Sequence, residues 1–230
     1  MHEVISPTTR HRSSHPMKFF PAVTALYLLA AASLHAKDFT PLTLADFTTN
    51  GGEAPGPLWK PEGNVIHLTG KGGGSLISKA EFTNFELEWD WKLDVGGNNG
   101  IKYWVTKIGG KEWLGIEYQM IDDNAHPDAK RGDSHSTACI YDIKAAAKDK
   151  PLKPIGEWNT SKIVVNNGKI QHWLNGALVS EADTTSDDWK QRIAASKFKS
   201  KENFAPGHGK IMLTEHGDET WFRNIRIKAL

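Results

Sequence analysis

The residues best suited to chemistry lie on two alternating stretches in the middle of the chain. In Trp113–Asp122, Glu117 and Gln119 alternate with an apolar set: Leu114, Ile116, Tyr118 and Met120. In residues 101–108, Lys102 and Trp104 alternate with Ile101, Tyr103 and Val105. The apolar residues are expected to pack inward, which places Lys102, Trp104, Glu117 and Gln119 together on the outer, solvent-reached face if the two strands are neighbours. Together these polar groups and the indole would suit a polyol, because an aromatic ring covers the apolar face of a sugar while polar groups bind its hydroxyls. A solvated strand face with a cross-strand ion pair would show the same pattern, and both interpretations stay open.

A polar loop, residues 122–135, follows the Glu117 stretch and gathers four aspartates and two histidines. His126 and His135 are possible nitrogen ligands of a divalent metal ion, and Asp122 and Asp123 are possible oxygen ligands. No spacing in the loop matches a metal motif, so a polar loop whose aspartates form turns is favoured. In either case the loop is expected to lie beside the candidate site.

Two further sets of residues are weaker candidates. Glu86, Glu88 and Asp90 share one strand face, as do the acid and nucleophile of β-glucanases with a concanavalin-like fold. In those enzymes an Asp lies between two Glu, so a solvated strand face is favoured here. His172 alternates with apolar neighbours, which predicts a core or sheet-spanning histidine. His216 follows a strand end and is the better exposed candidate.

Strands are expected to position all of these groups. Residues 85–94 alternate without a break, which predicts a strand with one buried face. The Asn175-Gly176 pair favours a type I′ hairpin turn, and Gly109-Gly110 is expected to join the Lys102 and Glu117 strands. Further strands are predicted at Asn64–Thr69, Ser75–Lys79, Ile101–Ile108, Trp113–Ile121, Thr160–Val165, Lys169–Leu174, Ala177–Glu181, Lys210–Thr214 and Trp221–Lys228.

Helix is expected to be scarce, with one or two short examples. Asp142–Lys148 would make two turns, and Ser186 would cap a helix over Asp187–Phe198 in which Trp189 and Ile193 stack. Many short strands, glycine-rich turns and little helix predict an all-β fold, an antiparallel β-sandwich or jelly roll.

Composition excludes several classes of protein. The 230 residues are 39% hydrophobic and 24% charged, with a formal net charge of +1. Such a balance argues against a nucleic-acid surface, which needs clustered Lys and Arg. The lone Cys139 excludes a disulfide framework and a cysteine-based zinc cluster. All nine tryptophans lie beyond residue 58, and the sequence has to provide roles for them.

The N-terminal residues predict export. An apolar run, Phe19–Ala32, follows a basic residue and precedes small residues, as in a signal peptide cleaved near Ala36. The run is too short for a membrane span. Met1 or Met17 is the true start. The mature chain would be residues 37–230, a single domain with no membrane anchor, in the periplasm or the medium.

Several short segments in order resemble the bacterial 3-keto-disaccharide hydrolases, also described as 3-keto-glucoside 1,2-lyase/3-keto-2-hydroxy-glucal hydratase domains. The resemblance covers nearly all of the mature chain and implies a concanavalin-like sandwich. Asn99 replaces the family's usual Ser, and Thr214-Glu215 replaces its usual Gln-Asp. The matching segments are Gly97–Ile101, Gly115–Gln119 with Asp122-Asp123, Ile140-Tyr141, Gly156–Asn159, His172–Gly176, Ser196–Phe198, His216-Gly217 and Phe222–Ile227.

The resemblance implies cleavage of an oxidised sugar. A ketone at C3 acidifies the C2 hydrogen, so a base can remove that proton and the C1 aglycone can leave by elimination, with or without later hydration. Glu117 would be base or metal ligand, and Lys102 or a bound cation would stabilise the enolate. Asp122, His126 and His216 are candidates for the remaining acid and ligand roles, so a divalent metal would have Glu117, Asp122 and His126 as candidate ligands. The sugar would be held by Gln119, Trp104, Tyr141, Asn99 and Arg223.

A non-catalytic carbohydrate-binding module is the alternative. It would use the same aromatic face without needing Glu117 or the histidines, and sandwich folds carry both functions.

Overall fold

A computed structural model describes residues 1–2 and 38–230. The predicted export signal, residues 17–36, lies outside the described residues. Within the described part of the chain, no helix is long and apolar enough to cross a membrane.

Residues 38–230 form two antiparallel sheets, as the alternating sequence predicts. The larger sheet has the order β11-β10-β9-β6-β13-β4-β3, with β1 also on β13, and the smaller has the order β2-β5-β12-β7-β8. The predicted antiparallel β-sandwich is therefore confirmed. The strands are β1 Thr40–Pro41, β2 Phe47–Thr49, β3 Trp59–Glu62, β4 Val65–Leu68, β5 Leu76–Phe82, β6 Phe85–Leu93, β7 Asn98–Ile108, β8 Glu112–Ile121, β9 Asn159–Asn166, β10 Lys169–Leu174, β11 Ala177–Asp183, β12 Gly209–Leu213 and β13 Thr220–Ala229.

The core lies between the two sheets. Strand β6 shows its two faces without interruption, because Phe85, Leu87, Trp89, Trp91 and Leu93 are buried and the residues between them are half-buried. Strand β8 contributes Ile116, Tyr118 and Met120 from the opposite sheet. Each large side chain removed from water stabilises the fold by roughly 1.5–3 kcal/mol.

One helix in the described residues forms where the sequence predicts it, and one predicted helix is absent. Helix α1, Asp187–Ala195, begins at Ser186, whose hydroxyl accepts the N–H of Trp189 at 3.1 Å. The two-turn helix predicted at Asp142–Lys148 was wrong. Asp142 has φ 59°, and residues 141–143 form a tight turn closed by a bridge between Ile140 and Lys144. Strands β1, β2 and β3 carry no alternation long enough to predict them.

The β7–β8 hairpin contains a β-bulge that corrects one prediction. The register shifts between Tyr103 and Thr106, and Trp104 takes a left-handed φ of 50°. Trp104 was predicted to face outward with Lys102, but it is buried, and its indole N–H donates to the Thr83 carbonyl at 2.9 Å. The bulge turns Val105 outward in its place, onto Met212.

The three carboxylates of β6 form an ion-pair ladder on the outer face of the larger sheet. Glu86 pairs with Lys162 and Lys228, Glu88 with Arg226, and Asp90 with Arg223. Every member has a cationic partner on a neighbouring strand, which supports the solvated strand face over the glucanase-like pair.

Candidate active site

The candidate site lies on the outer face of the smaller sheet. Register places Ile77, Met212, Lys102 and Glu117 in one row across β5, β12, β7 and β8. Their neighbours along the strands, including Ile101 and Tyr118, pack into the core. Because side chains alternate along a strand, the whole row projects away from the other sheet.

Glu117 is the centre of the site. Lys102 Nζ lies 3.6 Å from its Oε2 and His216 Nε2 lies 3.6 Å from its Oε1. Among residues 38–230, the Oε1 atom has no hydrogen-bond partner. The side chain of Glu117 is 5% exposed, against 19% for Lys102 and 37% for His216, so these two side chains lie nearer to solvent than the carboxylate.

The charges around Glu117 keep its carboxyl ionised. Burial opposes ionisation, but Lys102, His216 and Lys197 outweigh it and lower the pKa of Glu117 below its usual value. A buried carboxylate is tolerated because these cations compensate for its lost hydration. The charged form is the one that can accept a proton.

Gly100 provides the space that the Glu117 carboxylate occupies. A Cβ at this position would lie 2.5 Å from Glu117 Oε1 and 3.0 Å from its Cγ. Gly100 faces Gln119 in the β7–β8 register, on the same face as Glu117. Residues 100–102 of β7 therefore contribute to the site in two ways. Gly100 leaves space for the carboxylate, and Lys102 provides an ammonium group.

A segment after the polar loop covers the site. It runs along the free edge of β8, where Ala138 N–H donates to the Gln119 carbonyl at 2.8 Å and Tyr141 N–H to the Glu117 carbonyl at 3.1 Å. Glu117 and Gln119 face outward, as their alternation predicts. They are nevertheless buried, so the expectation that solvent reaches them freely was wrong, because sequence alternation does not reveal a covering loop.

Lys197 is a site residue that the residue patterns did not single out. Its ammonium lies 4.1 Å from the centre of the Tyr141 ring, and its backbone N–H donates to Asp142 at 2.7 Å. Burial lowers the pKa of Lys197, while Glu117 opposes that shift. The available signal was its position in the Ser196–Phe198 segment of the family resemblance.

Tyr141 lies within this cluster, next to Lys197. Its hydroxyl donates to Asp128 at 2.7 Å, and its ring meets that of His135 edge to face at 5.0 Å. Burial, together with the Asp128 carboxylate, raises the pKa of Tyr141. The phenol therefore stays protonated at neutral pH and keeps its donor.

Gln119 and Asn99 each leave one buried polar atom unpartnered. Gln119 donates to the Asn98 side chain at 3.2 Å, which leaves its Oε1 without a partner. Asn99 faces Met120 in the register, and its Oδ1 accepts from Gly100 N–H and from the Thr214 hydroxyl. Its Nδ2 has no partner. Because unpaired buried polar groups are rare in proteins, Gln119 Oε1 beside Glu117 marks a position for ligand hydroxyls.

Asp122 and His126 do not assemble a metal site with Glu117. The Asp122 carboxylate accepts the backbone N–H groups of Gly96, Asn124 and Ala125 at 3.0 Å each. Burial opposes ionisation of Asp122, but these three donors outweigh it and lower the pKa of Asp122 below its usual value. Among residues 38–230, no group of three or more His, Cys, Asp or Glu is arranged to hold a metal ion. These residues therefore do not fit the predicted cation, and Asp122 acts as a loop anchor.

Two predicted sugar contacts lie elsewhere in the fold. Arg223 is in the larger sheet, bonded to Asp90 at 3.0 Å and placed 4.0 Å from the centre of the Trp158 ring. That position is on the opposite outer face of the sandwich from Glu117, so the prediction was wrong. Trp104 is in the core, and the half-buried Trp113 is the indole that reaches the site's sheet face beside Met212.

Solved structures share this architecture. A protein of Parabacteroides distasonis, described provisionally as a glycosyl hydrolase, is 30% identical, with a TM-score of 0.73 over 81% of this chain and 89% of its own. A second protein from the same organism, described in the same way, is 29% identical, with a TM-score of 0.64 over 84% of this chain and 100% of its own. This similarity, over most of both chains, supports the class of glycoside-cleaving enzymes for the protein.

The sequence profile of the 3-keto-alpha-glucoside-1,2-lyase-like domain matches residues 39–228. The chain belongs to this family. A curated relative, the 3-keto-disaccharide hydrolase of Bacteroides thetaiotaomicron, is 36% identical over 204 residues, which cover 75% of this chain and 70% of the relative.

Proposed function

We propose that the protein cleaves the glycosidic bond of 3-keto-glucosides by proton abstraction at C2 and elimination of the C1 aglycone. The observation that carries this proposal is the Glu117 carboxylate, which is buried and ionised, has one oxygen free of hydrogen bonds within residues 38–230, and lies 3.6 Å from both Lys102 Nζ and His216 Nε2. The family membership supports the oxidised sugar as substrate.

The chemistry assigns one step to each group. Glu117 takes the C2 proton, and the electron pair moves toward C3, where the ammonium of Lys102 or Lys197 stabilises the enolate oxygen. The C1–O bond then breaks as a C1=C2 bond forms, and His216 protonates the departing oxygen. Addition of water across that double bond, with hydroxyl at C1 and hydrogen at C2, gives the free 3-keto sugar, so the same site accommodates lyase and net hydrolase outcomes.

The charges around Glu117 favour elimination over direct glycoside hydrolysis. Hydrolysis of an unoxidised glycoside ordinarily uses two carboxyl groups across the scissile bond. The strongest charged neighbours of Glu117 are instead Lys102, His216 and Lys197. One base surrounded by cations suits a reaction in which negative charge develops on the substrate oxygen.

The remaining assignments follow the geometry. Gln119 Oε1 and the Tyr141 hydroxyl would bind sugar hydroxyls beside Glu117. His126 and Asp122 have no reacting role in this proposal, because Asp122 is saturated by backbone donors and His126 Nδ1 accepts the N–H of Asp128 at 3.1 Å.

The proposal is tested with 4-nitrophenyl 3-keto-glucoside and its unoxidised glucoside, each as both anomers. We expect release of 4-nitrophenol from the keto substrate alone, and release unchanged by a chelator. Cleavage of the unoxidised glucoside would contradict the mechanism, and loss of release on chelation would contradict the metal-free assignment. Binding without release would support the carbohydrate-binding module.

We also propose that the enzyme acts outside the cytoplasm, which rests on the signal-peptide pattern near Ala36 alone. N-terminal sequencing of the protein from the periplasm and the medium should find a start near residue 37. An intact N-terminus in the cytoplasmic fraction would contradict export.

A further inference from the structure

A groove of about 490 Å³ opens on the same sheet face as Glu117. It runs from Lys102 to the tip of the β7–β8 hairpin. Its apolar part is formed by Met212 and the half-buried Trp113, which pack with Ile77 and Val105. A flat indole and a thioether give a surface on which a sugar or aromatic ring can lie.

The groove is positively charged. Lys102, Lys107 and Lys111 line it, and the carboxylate in its described lining is Glu112. Glu112 is already paired with Lys201. The ammonium of Lys107 lies 5.9 Å from the centre of the Trp113 ring. The ammonium groups of Lys107 and Lys111 therefore line the groove, and the charge of Glu112 is already neutralised by Lys201.

Lys102 joins the groove to the catalytic cluster. The same side chain lines the groove and pairs with Glu117. Lys102 and Lys107 lie on either side of the bulge and pair with Glu117 and Trp113, which are four positions apart on β8, about 13 Å of extended chain. A substrate with its reacting sugar at Glu117 could extend a second ring over Met212 and Trp113, within reach of Lys107 and Lys111.

We propose that this groove is the aglycone subsite and that it selects aglycones bearing a negative charge, carried by a sugar acid or an aromatic acid. This inference rests on the proposed function, because the reacting sugar is placed by Glu117. Trp113 and Met212 contact the ring, and the two hairpin lysines bind the anionic group. Charge complementarity of this kind sets selectivity and is weakened by salt.

The test compares matched neutral and anionic aglycones. One pair is the 3-keto-glucoside of 4-hydroxybenzoate and that of its methyl ester, and the other is 3-keto-glucose linked to glucuronate or to glucose. For each pair, the ratio of kcat/KM for the acid to that for the neutral substrate is measured. The protein variants are K107A/K111A and, as a matched exposed lysine on the larger sheet, K60A.

We expect wild type and K60A to prefer the acid, and K107A/K111A to reduce that preference about fivefold, since exposed ion pairs contribute about 0.2–1 kcal/mol each. Added salt should reduce the wild-type preference in the same direction. The pair that shows the larger effect identifies a sugar acid or an aromatic acid as the source of the charge. Equal rates for acid and neutral substrate, or a ratio unaffected by K107A/K111A, would overturn the inference.

Failure of the proposed function would look different. In that case neither keto substrate releases its aglycone, and the groove is tested by binding alone. Calorimetry with the unoxidised glucosides of 4-hydroxybenzoate and its methyl ester should still show tighter, lysine-dependent binding of the acid. Equal affinities would overturn the groove assignment on its own.

Discussion

Glu117 combines three properties that a catalytic base requires. It is ionised, because Lys102, His216 and Lys197 outweigh its burial. One of its oxygens, Oε1, is buried without a hydrogen-bond partner among the described residues, so it is free to accept a proton. It is held in place, because Gly100 leaves room for the carboxylate where any other residue would put a Cβ.

Gly100→Ala should displace the Glu117 carboxylate and also crowd the Tyr118 carbonyl, which the new Cβ would approach to 3.0 Å. The new Cβ would lie 2.5 Å from Oε1, and a shift of about 1 Å in a catalytic group can reduce the rate about 100-fold. Steady-state kinetics on a 3-keto-glucoside measure this loss. Gly56→Ala is the matched control, since a Cβ there meets nothing within 4 Å. Unchanged turnover in Gly100→Ala would contradict the geometry of the site.

The two departures from the family pattern contact each other. Asn99 replaces a usual Ser and Thr214 replaces a usual Gln, and the Thr214 hydroxyl donates to Asn99 Oδ1 at 3.2 Å. The chain therefore keeps one amide and one hydroxyl in contact but exchanges their positions.

A double-mutant cycle tests this exchange. Asn99→Ser and Thr214→Gln should each destabilise the protein by about 1 kcal/mol, because each breaks a buried hydrogen bond. The double variant should recover most of that loss, which urea unfolding can measure. Additive losses in the double variant would show that the two positions are independent.

At the scale of elements, the β7–β8 hairpin shows what the sequence could and could not predict. The alternation of β8 and the pairing across Gly109-Gly110 correctly place Lys102 opposite Glu117. The bulge that buries Trp104 was not predictable from β7, because its partner β12 has its own register shift between Lys210 and Met212. Two strands distant in sequence adjust together, and local alternation does not carry that information.

The loop from Asp122 to Tyr141 also has some features that the sequence predicts and others that it does not. The sequence predicts turn-forming aspartates, and Asp122 accepts three backbone N–H groups. It did not show that the following segment would pair with the edge of β8, because that contact is formed by backbone atoms. The role of Lys197 was missed for a related reason, since only the folded chain brings α1 and its following turn beside Tyr141.

Asp122→Asn should weaken the loop without changing any dependence on metal. An amide oxygen can keep part of the three acceptor contacts, so we expect destabilisation of about 1–3 kcal/mol and a smaller loss of turnover than in Glu117 variants. Thermal unfolding and kinetics with added divalent cations measure both effects, with exposed Asp149→Asn as control. If an added divalent cation raised the activity of the wild type but not that of Asp122→Asn, Asp122 would instead be identified as a metal ligand.

At the scale of the whole molecule, polar bridges join the two sheets through the core. The Tyr103 hydroxyl on β7 bonds His172 Nε2 on β10 at 2.9 Å, and the opposite ring nitrogen bonds the Ala138 carbonyl at 3.1 Å. The Tyr118 hydroxyl bonds Ser161 across the same interface at 2.7 Å. The sequence prediction of a core or sheet-spanning histidine at position 172 is confirmed.

His172 makes stability depend on pH. Burial lowers its pKa from 6.5 to about 4 in the folded protein. Between these values the unfolded chain binds the extra proton, so stability is complete above about pH 6.5 and is lost as pH falls toward 4, by up to about 3 kcal/mol. Urea unfolding across this range should show the slope.

His172→Gln should flatten the slope between pH 6.5 and 5.5, whereas the exposed His208→Gln should leave it unchanged. The carboxylates with lowered pKa values, such as Asp90 and Glu86, lose their contribution at lower pH. Their loss begins near pH 5, where the unfolded chain starts to protonate these carboxylates, so the slope between pH 6.5 and 5.5 is due to His172. A stability that stays constant from pH 6.5 to 5.5 in wild type would contradict the neutral, buried His172.

The most direct test of the account is Glu117→Gln on a 3-keto-glucoside deuterated at C2. Wild type should release the aglycone with a primary isotope effect and lose the C2 deuterium to water. The variant should stay folded, with a lowered unfolding temperature because Lys102 loses its charged partner, and should still bind the substrate, with release reduced about 10²–10⁴-fold, the range expected for loss of a general base. Wild-type turnover and deuterium loss in Glu117→Gln would contradict the central claim that this carboxylate removes the C2 proton.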